Sequence, residues 1–139
     1  MIPYQSDKIK LAGTNYFEIR KQALFIFNQI KKKTKRRPYI RSSYFKKQKI
    51  FFDYFWTHLI QKNPKERFKR LQYFEAAIDL IKNSRREPTS KQNPNKRGEI
   101  VHRFIGVTVN KEQFSVQIKE DLKTDKKYFM SCFPSDYDE

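Results

Sequence analysis

The sequence predicts an α+β domain in which about three N-terminal helices pack on a C-terminal antiparallel sheet of three to four strands. Three observations lead there. Up to Ser84, apolar residues recur at spacings of three and four, the period of a helix with one buried face. From Ile100 onward the period falls to two, and β-branched and aromatic residues accumulate, as in half-buried strands. Between them, Arg85 to Asn95 has no period and contains Pro88 and Pro94, which marks an exposed loop. Helices followed by strands, without alternation, is the α+β order.

The first helix carries Tyr16, Ile19, Ala23, Leu24, Phe27 and Ile30 on one face, after a Thr14/Asn15 cap. A second is expected to start near Ser42/Ser43, to carry Phe51, Tyr54, Phe55, His58 and Leu59, and to stop at Asn63-Pro64. The third starts at Pro64, where a missing N–H costs nothing, and Glu66 suits the positive end of the helix. Its stripe is Phe68, Leu71, Phe74, Ala77, Ile78 and Ile81. Ile100 to Val109, Phe114 to Ile118 and Tyr128 to Phe133 read as strands joined through Asn110-Lys111 and Thr124-Asp125, and residues 86–97 have room for one more. A chain of 139 residues supports one core and thus a single domain, 1–139.

The charge is the strongest functional signal. Lys and Arg number 31 against 15 acids, for a net +16. Residues 1–97 hold 25 basic and 7 acidic side chains, whereas residues 98–139 hold 6 and 8. Self-repulsion of that size opposes folding unless a polyanion compensates it. The 13 phenylalanines supply a core that a disordered basic tail would lack.

Within Lys31 to Lys49 there are ten cations and no acid: Lys31, Lys32, Lys33, Lys35, Arg36, Arg37, Arg41, Lys46, Lys47 and Lys49. Tyr39, Tyr44 and Phe45 are interleaved. Cations neutralise phosphates while rings stack on unpaired bases, so the pattern predicts RNA as partner, with DNA as the alternative. A solvated helix face would mix signs. Lys65, Arg67, Lys69 and Arg70 form a second basic set, and Arg85 and Arg86 extend the surface or serve the helix C-terminus.

Other chemistries are poorly served. Two histidines and one cysteine are scattered without ligand spacing, so no metal is expected. Three glycines make no phosphate-binding loop, and no cofactor is expected. With a single cysteine, Cys132, no internal disulfide can form. No signal-like stretch occurs in the opening residues, and the longest apolar run, Ala23 to Phe27, cannot span a bilayer. These features predict a cytoplasmic protein with no membrane partner. Asp136, Asp138 and Glu139 read as an acidic tail. Strand alternation puts His102 and Arg103 on opposite faces, while His58 falls on the apolar face of its helix.

From His58 onward the chain resembles the RelE-like, phage-type branch of the barnase–EndoU–colicin–RelE ribonucleases. The matching stretches are His58-Leu59-Ile60 with Asn63-Pro64-Lys65-Glu66, the helix end Ile78 to Ser84, and three strands. Those strands are His102-Arg103-Phe104, Phe114-Ser115-Val116-Gln117-Ile118-Lys119 and Met130-Ser131-Cys132-Phe133-Pro134. The family's second histidine is Asn63 here, and its last-strand threonine is Ser131. The likeness divides the chain into a basic helical region, 1–50, and a helix-plus-sheet core, 51–139.

The resemblance implies a metal-independent endoribonuclease of a group that includes toxins. In such a reaction the RNA's own 2′-hydroxyl attacks the neighbouring phosphorus. It assigns proton transfer to His58 or His102, phosphate stabilisation to Arg103 and Lys119, and orientation to Ser131. It also implies an acidic antitoxin or other acidic protein as a second partner. The alternative is a non-catalytic RNA- or DNA-binding accessory protein of a phage or mobile element on the same scaffold.

Overall fold

A reciprocal cap starts the first helix. Asn15 Oδ1 accepts the Glu18 N–H at 3.1 Å, and the Glu18 carboxylate accepts the Thr14 N–H at 2.9 Å. In the computed structural model, which describes residues 2–135, α1 then runs Tyr16–Thr34 and buries Ile19 and Ala23. It ends where Lys35 takes a left-handed φ of 57°.

The next segment departs from expectation. No helix starts at Ser42/Ser43. Instead Tyr39–Ser42 (β2) and Gln48–Phe51 (β3) form an antiparallel hairpin. Ile40, Ser42 and Ile50 are buried while Arg41 and Lys49 are exposed, so the local period is two. At the turn, Ser42 Oγ accepts the Phe45 N–H, and Lys46 and Lys47 adopt positive φ. Helix α2 spans only Phe55–Ile60.

The third expected helix is two helices. Asn63 caps α3, Pro64–Leu71, by accepting the Glu66 N–H at 2.9 Å. The chain then turns at Gln72-Tyr73 into α4, Phe74–Asn83. Four strands follow: β4 Thr89–Gln92, β5 Glu99–Val107, β6 Gln113–Asp121 and β7 Lys126–Pro134. With β1, Tyr4–Gln5, the strands number seven.

The expected fold class is therefore corrected. The protein is a mixed α/β domain built on a curled seven-stranded sheet, not three helices on three or four antiparallel strands. The order is β1-β5-β6-β7-β3-β2, with β4 also on the outer edge of β5. Two pairings, β1 with β5 and β3 with β7, are parallel. The added strands β1, β2 and β3 have two to four residues, too few to stand out by alternation, and only β3 falls inside a stretch that looked helical.

The helices cover one face of the sheet. There Phe55, Phe74, Phe114 and Phe129 are fully buried, with Phe55 stacked on Phe129 at 4.5 Å. Because β3 pairs with β7 only at Lys127 and Tyr128, the rest of the β7 edge is left to α2 and α3. Cys132 Sγ there reaches the Arg70 carbonyl at 3.3 Å. Among the described residues no helix lies over the other, open face, where Arg103, Gln117 and Lys119 are half-buried and Ser115, Tyr128 and Ser131 are buried.

Candidate nucleic-acid interface

Alternation along β5, β6 and β7 sends every second side chain to the open face. The register aligns Thr89, Arg103, Gln117 and Ser131 in one row across four strands, and Lys91, Val101, Lys119 and Tyr128 in the next. Arg103, Lys119 and Ser131, distant in sequence, thus share one surface. A bulge at Met130 shifts the β6–β7 register between these rows.

Each of the three has neighbours that fix it. The Arg103 guanidinium donates to Ser115 Oγ at 3.1 Å and lies 5.2 Å from the Phe133 ring centre. Lys119 Nζ stands 4.3 Å over the Tyr54 ring, 5.5 Å from Tyr128 and 3.6 Å from Glu99 Oε2. Ser131 is 4% exposed and donates its hydroxyl to Gln117 Oε1 at 3.3 Å.

The same face continues across β3 and β2. Tyr54 and Tyr128 are 4.9 Å apart, Tyr128 and Phe51 6.1 Å, and Phe51 and Tyr39 6.1 Å. Cations accompany this line of four rings. Arg37 stacks 4.0 Å over Phe51 and is held by Asp53 at 2.7 Å. Lys49 and Arg41 stand 4.7 Å and 5.4 Å from Tyr39. From β5 to β2 the surface crosses four strand spacings, about 19 Å. Interleaved rings and cations on one face are what an unpaired nucleic-acid strand requires.

Comparison with family models, curated proteins and solved structures finds no match to this chain.

His58 is not in these rows. It lies one turn after Tyr54 in α2, a helix that packs against β7. Burial first, then the charges of Lys62 and Arg70, hold its pKa below the ordinary histidine value, and Arg70 in turn lies 5.1 Å from the Phe133 ring. A neutral imidazole at neutral pH is competent to accept a proton.

His102 lies elsewhere. It points to the helix-covered face, beneath Phe45 at 5.0 Å, and both ring nitrogens are engaged. Nδ1 pairs with Ser90 Oγ at 2.6 Å and Nε2 with Glu120 Oε1 at 2.8 Å. Glu120 Oε2 continues to the buried Lys127 at 3.4 Å. The result is a polar crosslink of four strands.

Of the remaining cations, Lys33 shares a cleft with Tyr39 and Arg41, and the others are scattered. Lys31, Lys32, Lys33, Lys35 and Arg36 are exposed at and beyond the end of α1. Lys46, Lys47 and Arg85 line a cleft beside the hairpin tip, and the Arg86 N–H donates to Ser84 Oγ. Asp136, Asp138 and Glu139 lie outside the described residues. Among the described residues, no group of three or more His, Cys, Asp or Glu could hold a metal ion. Among the same residues, no helix is long and apolar enough to cross a membrane.

Sequence reasoning missed Tyr54, Phe133 and the buried Tyr128 as residues of this face. Tyr128 had a usable signal, since it alternates with Phe129. Tyr54 had none, because the segment before it reads as helix.

Proposed function

We propose that this chain is an RNA-binding protein that holds a single strand across the open face of its sheet and cleaves it without a metal ion. The observation that carries the reading is the line Tyr54–Tyr128–Phe51–Tyr39 with Lys119, Arg37, Lys49 and Arg41, continuous with Arg103. The strand resemblance to RelE-like ribonucleases supports the catalytic part, and the cytoplasm is its proposed place of action.

In this reading His58 takes the 2′-hydroxyl proton. The 2′-oxygen attacks the adjacent phosphorus, the P–O5′ bond breaks, and the proton returns to the departing 5′-oxygen. Lys119 and Arg103 stabilise the charge that develops on phosphorus-bound oxygen, and Ser131 orients Gln117. An acidic partner protein would compete for the same surface.

The test is cleavage of an RNA pool in excess chelator. A 2′,3′-cyclic phosphate product is expected, with substrates 2′-deoxy at the cut site inert. Arg103→Ala or Lys119→Ala is expected to lower the rate on the order of 10²–10³, the cost of losing one stabiliser of transition-state charge, with far smaller loss of binding. A magnesium requirement would sink the mechanism. The second reading, a non-catalytic binder, is favoured by the engagement of both His102 nitrogens. Tight binding with every transcript left intact would establish it.

A further inference from the structure

The open face is not uniformly flat. Between β4, β5 and β6 it holds a cavity of about 470 Å³ lined by Thr89, Lys91, Val101, Arg103, Ile105 and Gln117. Val101 and Ile105 offer an aliphatic surface on which a planar ring can lie. We propose that this cavity is a nucleobase subsite that takes guanine in preference to adenine, a claim that rests on the RNA-binding reading above.

The chemistry follows from one fixed amide. Gln117 Oε1 already accepts the Ser131 hydroxyl, and Ser131 is buried. The Gln117 amino group is therefore the end that serves the cavity, as a donor. Lys91, on the exposed strand β4, can only donate as well. A wall of donors matches a base edge made of acceptors. Guanine offers N7 and O6 side by side, whereas adenine puts its N6 amino group beside N7, donor against donor. Cytosine also offers two neighbouring acceptors, O2 and N3, in an unpaired strand, so the discrimination is of guanine against adenine.

The subsite lies next to the proposed reacting groups. Gln117 stands in register between Arg103 and Ser131, and Lys119 follows two residues later on the same face. A guanine seated there would set the register of the strand across Lys119 and the ring line.

Nine-nucleotide adenosine RNAs carrying one central guanosine, adenosine or 7-deazaguanosine test this by fluorescence anisotropy, with 2′-O-methyl at every position to prevent cleavage. The guanosine oligomer is expected to bind about tenfold tighter than the adenosine one, within the discrimination a two-acceptor base edge gives. 7-Deazaguanosine should lose most of that margin. Gln117→Glu keeps a partner for Ser131 but replaces the donor with an acceptor, so the preference should vanish or invert. Lys91→Gln, at an exposed position that cannot upset the core, should narrow it. Equal binding of guanosine and adenosine oligomers by the unaltered protein, or an unchanged preference in both variants, overturns the subsite while leaving RNA binding intact. No binding of any oligomer overturns the RNA reading and the subsite with it.

Discussion

A Cβ at Gly106 would sit 2.5 Å from Phe114 Cζ and 2.9 Å from Leu80 Cδ1. The strand has glycine there because an aromatic ring and the α4 helix press onto its backbone. Gly106→Ala is expected to destabilise by about 1–3 kcal/mol, the usual cost of overpacking a filled core, read as a lowered urea midpoint with unchanged slope. His58 makes a different kind of claim. Its folded pKa is depressed, so protonation favours the unfolded chain. Stability from this residue is fully present above the ordinary value near 6.5 and falls as pH drops from there through the folded value. The His58→Gln protein should lack that part of the pH dependence. If His58 is the base, the acid limb of the cleavage profile also lies below about 6.5, and Lys62→Gln, which removes one lowering charge, should shift the limb upward. An unmoved limb would assign the base elsewhere. At this scale the sequence was informative but partial. Alternation alone separated His102 from Arg103, yet nothing in the chain order showed that Ser90 and Glu120 would occupy both nitrogens of His102.

Elements were legible where length gave the period room to repeat. The α1 stripe and the three nine-residue strands β5, β6 and β7 stood out. The break between α3 and α4 did not, because Phe68, Leu71, Phe74 and Ile78 keep helical spacing through Gln72-Tyr73 and no proline or glycine marks the turn. The β2–β3 hairpin hid for a related reason. Its turn uses Lys46 and Lys47 at positive φ, where glycine or asparagine would have announced it, and four-residue strands show two alternations at most. The misreading has a measurable consequence. Phe74 and Phe55 are 0% and 1% exposed, so truncating either to alanine is expected to cost about 3–5 kcal/mol. Tyr39, half-buried on the open face, should cost much less on truncation yet weaken RNA binding. Equal losses of stability at all three positions would show that the open face is part of the core.

For the whole molecule, the charge imbalance visible in the sequence has a counterpart in the fold, but not the one that proximity in the chain suggests. Of the cations between Lys31 and Lys49, Arg37, Arg41 and Lys49 join the ring line, while Lys31, Lys32, Lys33, Lys35 and Arg36 stand at the α1 end. RNA affinity is expected to fall with salt at a log–log slope of roughly −0.7 per phosphate contact on single strands. Changing Arg37, Arg41 and Lys49 to Gln should flatten that slope more than changing Lys31, Lys32 and Lys35. The reverse order would move the interface to α1. The β3–β7 pairing bears on when such a surface can exist at all. Residues 50 and 51 find their parallel partners only at 127 and 128, and β1 waits for Gly106 and Val107. Closing loops of that length before any ladder forms makes folding slow relative to helix formation. During synthesis, the hairpin with Tyr39, Arg41 and Lys49 emerges early but has no sheet to join until the last strand is made. The full ring line is therefore withheld from the ribosome-bound chain until translation of β7 is complete.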